Sequence, residues 1–179
     1  YEDGDKVNIT AAAEGMKAVS SATVVPSRFP LTSINFVLKG GEPNQLQFWI
    51  HFTDNAQTKD YYALKVERKR QFWNDSKYSV ENSSLTLNLD DEPLLNTSSG
   101  LDDILMIENE FYRNLYYWDD TKIQGKSYKV RLNTNYEADY EDDFITPDGV
   151  EHIKCQVKYR ISLYSLSEEF YRYLKSLND

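Results

Sequence analysis

The 179-residue chain has one cysteine, two histidines, seven glycines and five prolines. A lone Cys155 excludes an internal disulfide framework and any multi-cysteine zinc site. His51 and His152 stand far apart, and neither sits in a metal-binding spacing or beside a nucleophile elbow. No glycine-rich phosphate loop follows any strand-like run. No apolar run approaches the roughly 20 residues that span a bilayer, and no charged start with an apolar core marks a signal peptide. Bases are scarce too: 20 Lys and Arg against 29 Asp and Glu give a formal charge of -9. Phosphate binding needs clustered bases, so nucleic acid is excluded as the main partner. What remains is one domain's worth of chain, long enough to bury its own core, and 1–179 reads as a single β-rich domain.

The dominant periodicity is two. Leu46, Phe48, Ile50 and Phe52 alternate with Gln45, Gln47, Trp49 and His51, the pattern of a half-buried strand. After a polar turn at 54–59, Tyr62, Leu64 and Val66 alternate again, so the two runs predict a hairpin. Further strands are expected at 6–12, 18–25, 33–38, 83–89, 128–132 and 153–164, with Pro26, Pro30 and Gly40-Gly41 between the early ones. The tail predicts a helix: Ser167 caps it, Glu168 and Glu169 favour its dipole, and Phe170, Tyr173, Leu174 and Leu177 form one stripe. A second helix is expected over 101–115. The fold class is therefore mainly β, an antiparallel sandwich or barrel-like domain with a short C-terminal helix.

The acidity has an address. Residues 78–112 contain eight acids and no base, and 132–153 contain seven acids and no base. Outside these windows the chain is mildly basic. Clustered carboxylates of this kind either stay solvated or hold a hard cation, and Ca²⁺ is the candidate, with Asp139, Glu141, Asp142 and Asp143 as ligands. That run lacks the spaced pattern of an EF-hand loop. The turn at 54–60 is also rich in side-chain oxygen, but Lys59 inside it counts against a cation.

No residue pattern names a catalytic group. Cys155 has no evident activating partner, and the basic run Arg68-Lys69-Arg70 reads as a solvated strand end. Abundant acids leave open a carboxylate pair for glycoside hydrolysis, drawn from 90–110 and 139–151. Aromatics point to binding: Trp49, Trp73, Tyr116, Tyr117 and Trp118 are expected either as stacking platforms for a glycan or peptide or as core filling. Tyr116, Tyr117 and Trp118 cannot all face one way along a strand, so at least one is expected to be exposed or under a loop.

Four segments together carry a resemblance. Residues 13–26 place small residues, Thr23 and Pro26 at the end of a strand. His51-Phe52-Thr53-Asp54 precedes Asp60-Tyr61-Tyr62-Ala63-Leu64. Trp118-Asp119-Asp120 leads to Gly125-Lys126-Ser127-Tyr128, and a closing strand runs into Ser167-Glu168-Glu169-Phe170-Tyr171-Arg172-Tyr173-Leu174. This constellation resembles the domain of unknown function 4249, a Bacteroidota family of outer-membrane lipoproteins. The resemblance implies a lipid-anchored protein at the outer membrane and cell surface, often beside a TonB-dependent transporter and its associated lipoproteins. It also implies that a lipid-bearing cysteine and a further β-rich region precede the segment matched here. No catalytic residues come with it.

Three functions follow as expectations. The first is a non-catalytic envelope module, accessory to a TonB-dependent transporter in nutrient or ligand binding, with the membrane reached only through a lipid anchor absent from this chain. The second is a carbohydrate-active hydrolase using paired carboxylates, and the third a calcium-stabilised adhesion module.

Overall fold

A computed structural model describes residues 1–39, 44–74, 77–95, 114–147 and 149–177. Its strands are β1 (Lys6–Ala11), β2 (Val19–Val24), β3 (Leu31–Leu38), β4 (Gln45–Thr53), β5 (Tyr61–Asn74), β6 (Lys77–Ser84), β7 (Tyr116–Asp119), β8 (Ser127–Asn135), β9 (Tyr140–Thr146) and β10 (Gly149–Leu166). One α-helix, α1 (Glu168–Ser176), follows β10, and a single 3₁₀ turn spans Asp120–Lys122 among the described residues. The fold is mainly β and sandwich-like, with antiparallel pairing throughout and no closed barrel among the described residues.

Two sheets enclose the core. The first has the order β3-β4-β8, and the second β6-β5-β10-β9, with β7 beside the first half of β5. The spine of the second sheet is the long pair β5 and β10, in register from Tyr61 opposite Leu166 to Asn74 opposite Ile153. Leu46, Phe48, Ile50 and Phe52 of β4 and Val130 and Leu132 of β8 face Tyr62, Leu64 and Val66 of β5 across the interior. Their period of two is the reason: each strand has one apolar face, and two such faces leave water only by meeting.

The long runs at 45–52 and 61–68 are strands, as their alternation predicts, but they are not a hairpin. β4 pairs with β3 and β8, β5 pairs with β10, β6 and β7, and the turn carries the chain from one sheet to the other. The physical reason is that both strands bury a full apolar face. Phe52 meets Tyr62 ring to ring at 5.4 Å across the sandwich instead of lying beside it in one sheet.

β5 is buried on its other face as well, where Ala63 packs with Leu115, Tyr117, Leu166 and Leu174 under α1. The Ser167 hydroxyl accepts the Phe170 N–H at 3.3 Å, the cap expected from the sequence. The strand expected at 83–89 ends at Ser84, after which a loop is held by an isolated bridge from Asn88 to Asn133. β9 occupies an acid-rich stretch where no strand is expected from the sequence. The helix expected over 101–115 falls, apart from Asn114 and Leu115, outside the described residues. β1 and β2 form a separate two-stranded sheet, mostly exposed.

Ile50 is fully buried in the core, whereas Phe36 on β3 is 70% exposed. Urea denaturation of Ile50→Ala should therefore show a loss of about 2–5 kcal/mol, and Phe36→Ala a change within about 1 kcal/mol. Equal losses would contradict this packing.

Candidate functional site

Three carboxylates meet where the chain changes sheets. Asp54 follows β4, Asp60 precedes β5, and Asp120 follows β7; their nearest oxygens lie within 4.8 Å of one another. Asp54 and Asp120 are buried, so each must be satisfied by donors from the protein. Asp54 takes the Tyr62 hydroxyl on Oδ1 and the Gly125 N–H at 2.6 Å on Oδ2. Asp120 takes the Asp60 N–H at 2.7 Å on Oδ2 and the Lys59 ammonium on Oδ1. Lys59 also donates to Thr121 Oγ1 at 2.9 Å and lies 3.5 Å from Asp119.

Local sequence explains how these groups converge. Asp60 and Asp120 also share a backbone bond, from the Asp120 N–H to the Asp60 carbonyl at 3.1 Å, which extends the pairing of Tyr61 with Asp119. Gly125 has φ +68°, and a Cβ there would sit 2.8 Å from the Ala56 side chain, so only glycine brings this N–H to Asp54. Burial pushes the Asp60 carboxyl above its ordinary value, the Thr58 hydroxyl pulls it back, and the nearby charges of Asp54 and Asp120 add to the rise. The Tyr62 hydroxyl is held protonated by burial and by its bond to Asp54. The cluster has the spacing of a cation site, but the chain supplies the cation itself through Lys59. The remaining oxygens of Asp54 and Asp120 accept donors from Tyr62, Gly125 and Asp60. The arrangement is a polar knot that ties two sheets together.

Beside the knot opens a cavity of about 830 Å³. Its walls come from the segment between β2 and β3, the turn from β4 to β5, and the start of α1. Phe29 and Tyr61 give it apolar surface, and its charged lining is mixed, with Asp54, Asp60, Glu168 and Glu169 against Lys6, Arg28 and Lys59. Phe29 is fixed by rings on its other side, 4.9 Å from Tyr62 and 5.6 Å from Phe52. Ser165 donates to the Ser27 carbonyl at 2.8 Å and Thr23 to Glu169 at 3.1 Å, closing the sides. Such a cavity can hold a polar ligand against hydrogen-bond acceptors and aromatic faces.

The five aromatics named from the sequence do not gather at this cavity. Tyr116 and Trp118 are buried in the core between the sheets, and Tyr117 is buried on the opposite face under α1, its hydroxyl donating to the Leu174 carbonyl at 3.2 Å. The alternation of directions expected for this triplet is present, but Tyr117 is neither exposed nor under a loop, because α1 packs over it. Trp118 stacks on Tyr62 at 5.6 Å. Trp49 is half-buried on the outer face of the β3-β4-β8 sheet, with the Lys129 ammonium 4.6 Å from its ring centre, and Trp73 packs at 5.4 Å on Tyr78.

Nor do Asp139, Glu141, Asp142 and Asp143 converge on one point. Glu141 and Asp143 lie on one face of β9 and grip His152 of β10 from its two sides, at 3.1 and 2.7 Å, while Lys154 is 3.2 Å from Glu141. Asp142, between them, points to the other face by the strand's period and accepts the Asp143 N–H, and Asp139 accepts the Val157 N–H at 2.7 Å. Of the acids offered for a hydrolase pair, Asp91 is tied to Asn133 and Lys39, and Glu92 is buried, accepting from Tyr128, Leu94 and Arg131. The acids at 102–110 lie outside the described residues. Sequence reasoning missed Asp120. Its signal was an acid pair directly after a wholly apolar-aromatic triplet, where burial is unavoidable.

The fold and site define a mainly β, sandwich-like domain with a carboxylate knot at its sheet crossing and an aromatic-walled cavity beside it. The chain belongs to the family described as domain of unknown function DUF4249, whose model matches residues 1–179. No curated protein and no solved structure matches it.

Two measurements test the site. Lys59→Met leaves buried Asp120 without its counter-charge and should lower stability by about 3 kcal/mol, while Ca²⁺ or chelator leaves the melting temperature of the wild-type chain unchanged. A Ca²⁺-dependent rise in melting temperature would show the knot to be a metal centre. Asp143 first, and Glu141 second, raise the His152 pKa above 6.5. A raised folded pKa gives stabilisation that is complete below the unfolded value and fades as pH climbs through the folded one. NMR titration should place His152 above 6.5 and return it toward that value in Asp143→Asn; an unshifted wild-type imidazole would refute the pairing.

Proposed function

We infer that the domain is a non-catalytic binding module of the cell envelope, accessory to a TonB-dependent transporter in nutrient or ligand capture. The observation that carries this reading is the cavity beside the knot. It is large enough for a small glycan or peptide, has aromatic walls at Phe29 and Tyr61, and presents the Asp60 carboxylate as an acceptor. The resemblance supports the setting: outer membrane, cell surface, and a lipid anchor of the kind that holds a domain at a membrane without spanning it. No helix among the described residues is long and apolar enough to cross a membrane, which is compatible with such anchoring.

The carboxylates of the cavity serve binding better than acid–base chemistry. Asp54 spends both oxygens on structural donors, which leaves Asp60 as the more available of the two. Ca²⁺ is not needed for this reading.

Affinity purification from detergent-solubilised native outer membranes, followed by native mass spectrometry, tests the proposal. The expected result is co-purification of a TonB-dependent transporter or one of its lipoproteins, with a small glycan or peptide released on denaturation. A chain recovered alone and ligand-free would overturn it.

A further inference from the structure

Among the described residues the sandwich is open along one side. There β3 is the edge of its sheet, and β10 beyond Cys155 is the edge of the other, because β9 covers only Gly149 to Cys155. Between the two edges lies a cleft of about 630 Å³, lined by Ile34 and Phe36 of β3, Phe48 of β4, and Val157, Tyr159 and Ile161 of β10. Ile34, Phe36 and Leu38 sit opposite Ile50, Phe48 and Leu46 and share their inward face, yet they are 41, 70 and 56% exposed. An inward-facing apolar row that stays in water is a row without its cover.

The backbone points the same way. The Lys39 N–H donates to the Gln45 carbonyl at 2.9 Å, so by alternation Val37 and Asn35 turn their peptide groups to β4, and Ile34, Phe36 and Leu38 turn theirs outward. The Val157 N–H is aimed away from β5, at Asp139, which by the same alternation sends the peptide groups of Tyr159 and Ile161 outward. Among the described residues no strand receives either set. β3 has no charge and no proline over its eight residues, and its one irregularity is the register shift between Leu31 and Ser33 at its start, away from Ile34, Phe36 and Leu38.

We propose that β3 takes up an extended segment of another protein, which adds as an antiparallel fourth strand and fills the cleft with alternate apolar side chains. The charge of the cleft selects its ends. The charged residues lining it are Glu137 and Asp139, both acids. Glu137 is spent on Arg68 and Arg70, at 2.6 Å each, whereas Asp139 carries no ion pair among the described residues. These acids lie at the Leu38 end of β3, since the Tyr136 N–H donates to the Asn44 carbonyl there. An antiparallel guest enters at that end, so its N-terminal side is basic. A second copy of this chain fits less well. Pairing β3 with itself makes a ribbon about 27 Å long and one strand wide, short of the roughly 800 Å² per partner of a stable dimer.

The probe is a fluorescein-labelled nine-residue peptide of alternating valine and threonine preceded by two lysines, read by anisotropy against the wild-type domain. Saturable binding is expected, at least tenfold weaker when glutamates replace the lysines. Phe36→Asp, at an exposed position, and Ile34→Pro, which removes an outward N–H while leaving the ladder to β4, should each weaken binding tenfold or more with circular dichroism unchanged. Absence of saturation up to about 1 mM peptide would overturn the proposal. So would equal binding by both variants, or a concentration-dependent dimer in sedimentation velocity that Phe36→Asp dissolves.

Discussion

The buried Asp54 carboxylate is the constraint on which the architecture rests. It stands at the turn where the chain first leaves the β3-β4-β8 sheet for the other, and it is satisfied by a hydroxyl from β5 and a backbone N–H from the segment before β8. A buried charge tolerates little freedom in its donors, because a lost bond exposes it to the full cost of desolvation. Tyr62 is therefore fixed, and with it the ring cluster of Phe29, Phe52 and Trp118 that fills this end of the core. Asp120, locked by Lys59 and by the Asp60 N–H, pins β7 to β5 in the same way. The knot also lines the cavity, through Asp54, Lys59 and Asp60.

Net charge looks different once the chain is folded. The two base-free windows hold acids whose partners come from elsewhere in the sequence: Glu137 meets Arg68 and Arg70, Asp91 meets Lys39, and Glu141 meets Lys154. Arg70 first, and Arg68 with it, hold the Glu137 carboxyl below its ordinary range. The basic run at 68–70 is thus in part an internal clamp across the linker from β8 to β9. Exposed pairs of this kind contribute little each, but they place acids and bases in register and keep like charges apart on neighbouring strands.

Much of the fold was legible in the sequence, for physical reasons that also mark where legibility ends. Alternation at 45–52 and 61–68 identifies strands because burial of one face is local information. Which strand lies beside which is not local: a short, mostly polar turn serves a hairpin and a sheet crossing equally well, and only the Asp54 contacts, more than sixty residues distant at Gly125, decide between them. The Ser167 cap and the Leu174 stripe were readable because a helix end is also local. Tyr116, Tyr117 and Trp118 were legible as a strand with opposed faces, but that both faces would be dry depended on α1 arriving from the far end of the chain. The acid-rich stretch of β9 was not legible as a strand because its cross-strand partners, His152 and Lys154, follow it across a turn. The crossing aspartates showed only as a turn rich in oxygen with a lysine inside, because the third carboxylate, Asp120, comes from a distant segment.

The measurement that bears most directly on this account is a double-mutant cycle between Asp54→Asn and Tyr62→Phe, followed by urea denaturation. If the carboxylate and the hydroxyl form the interaction that sets the sheet crossing, the cycle should return a coupling of about 1.5 kcal/mol or more. Losses that simply add would show the two residues to be independent and would contradict the central role given to Asp54.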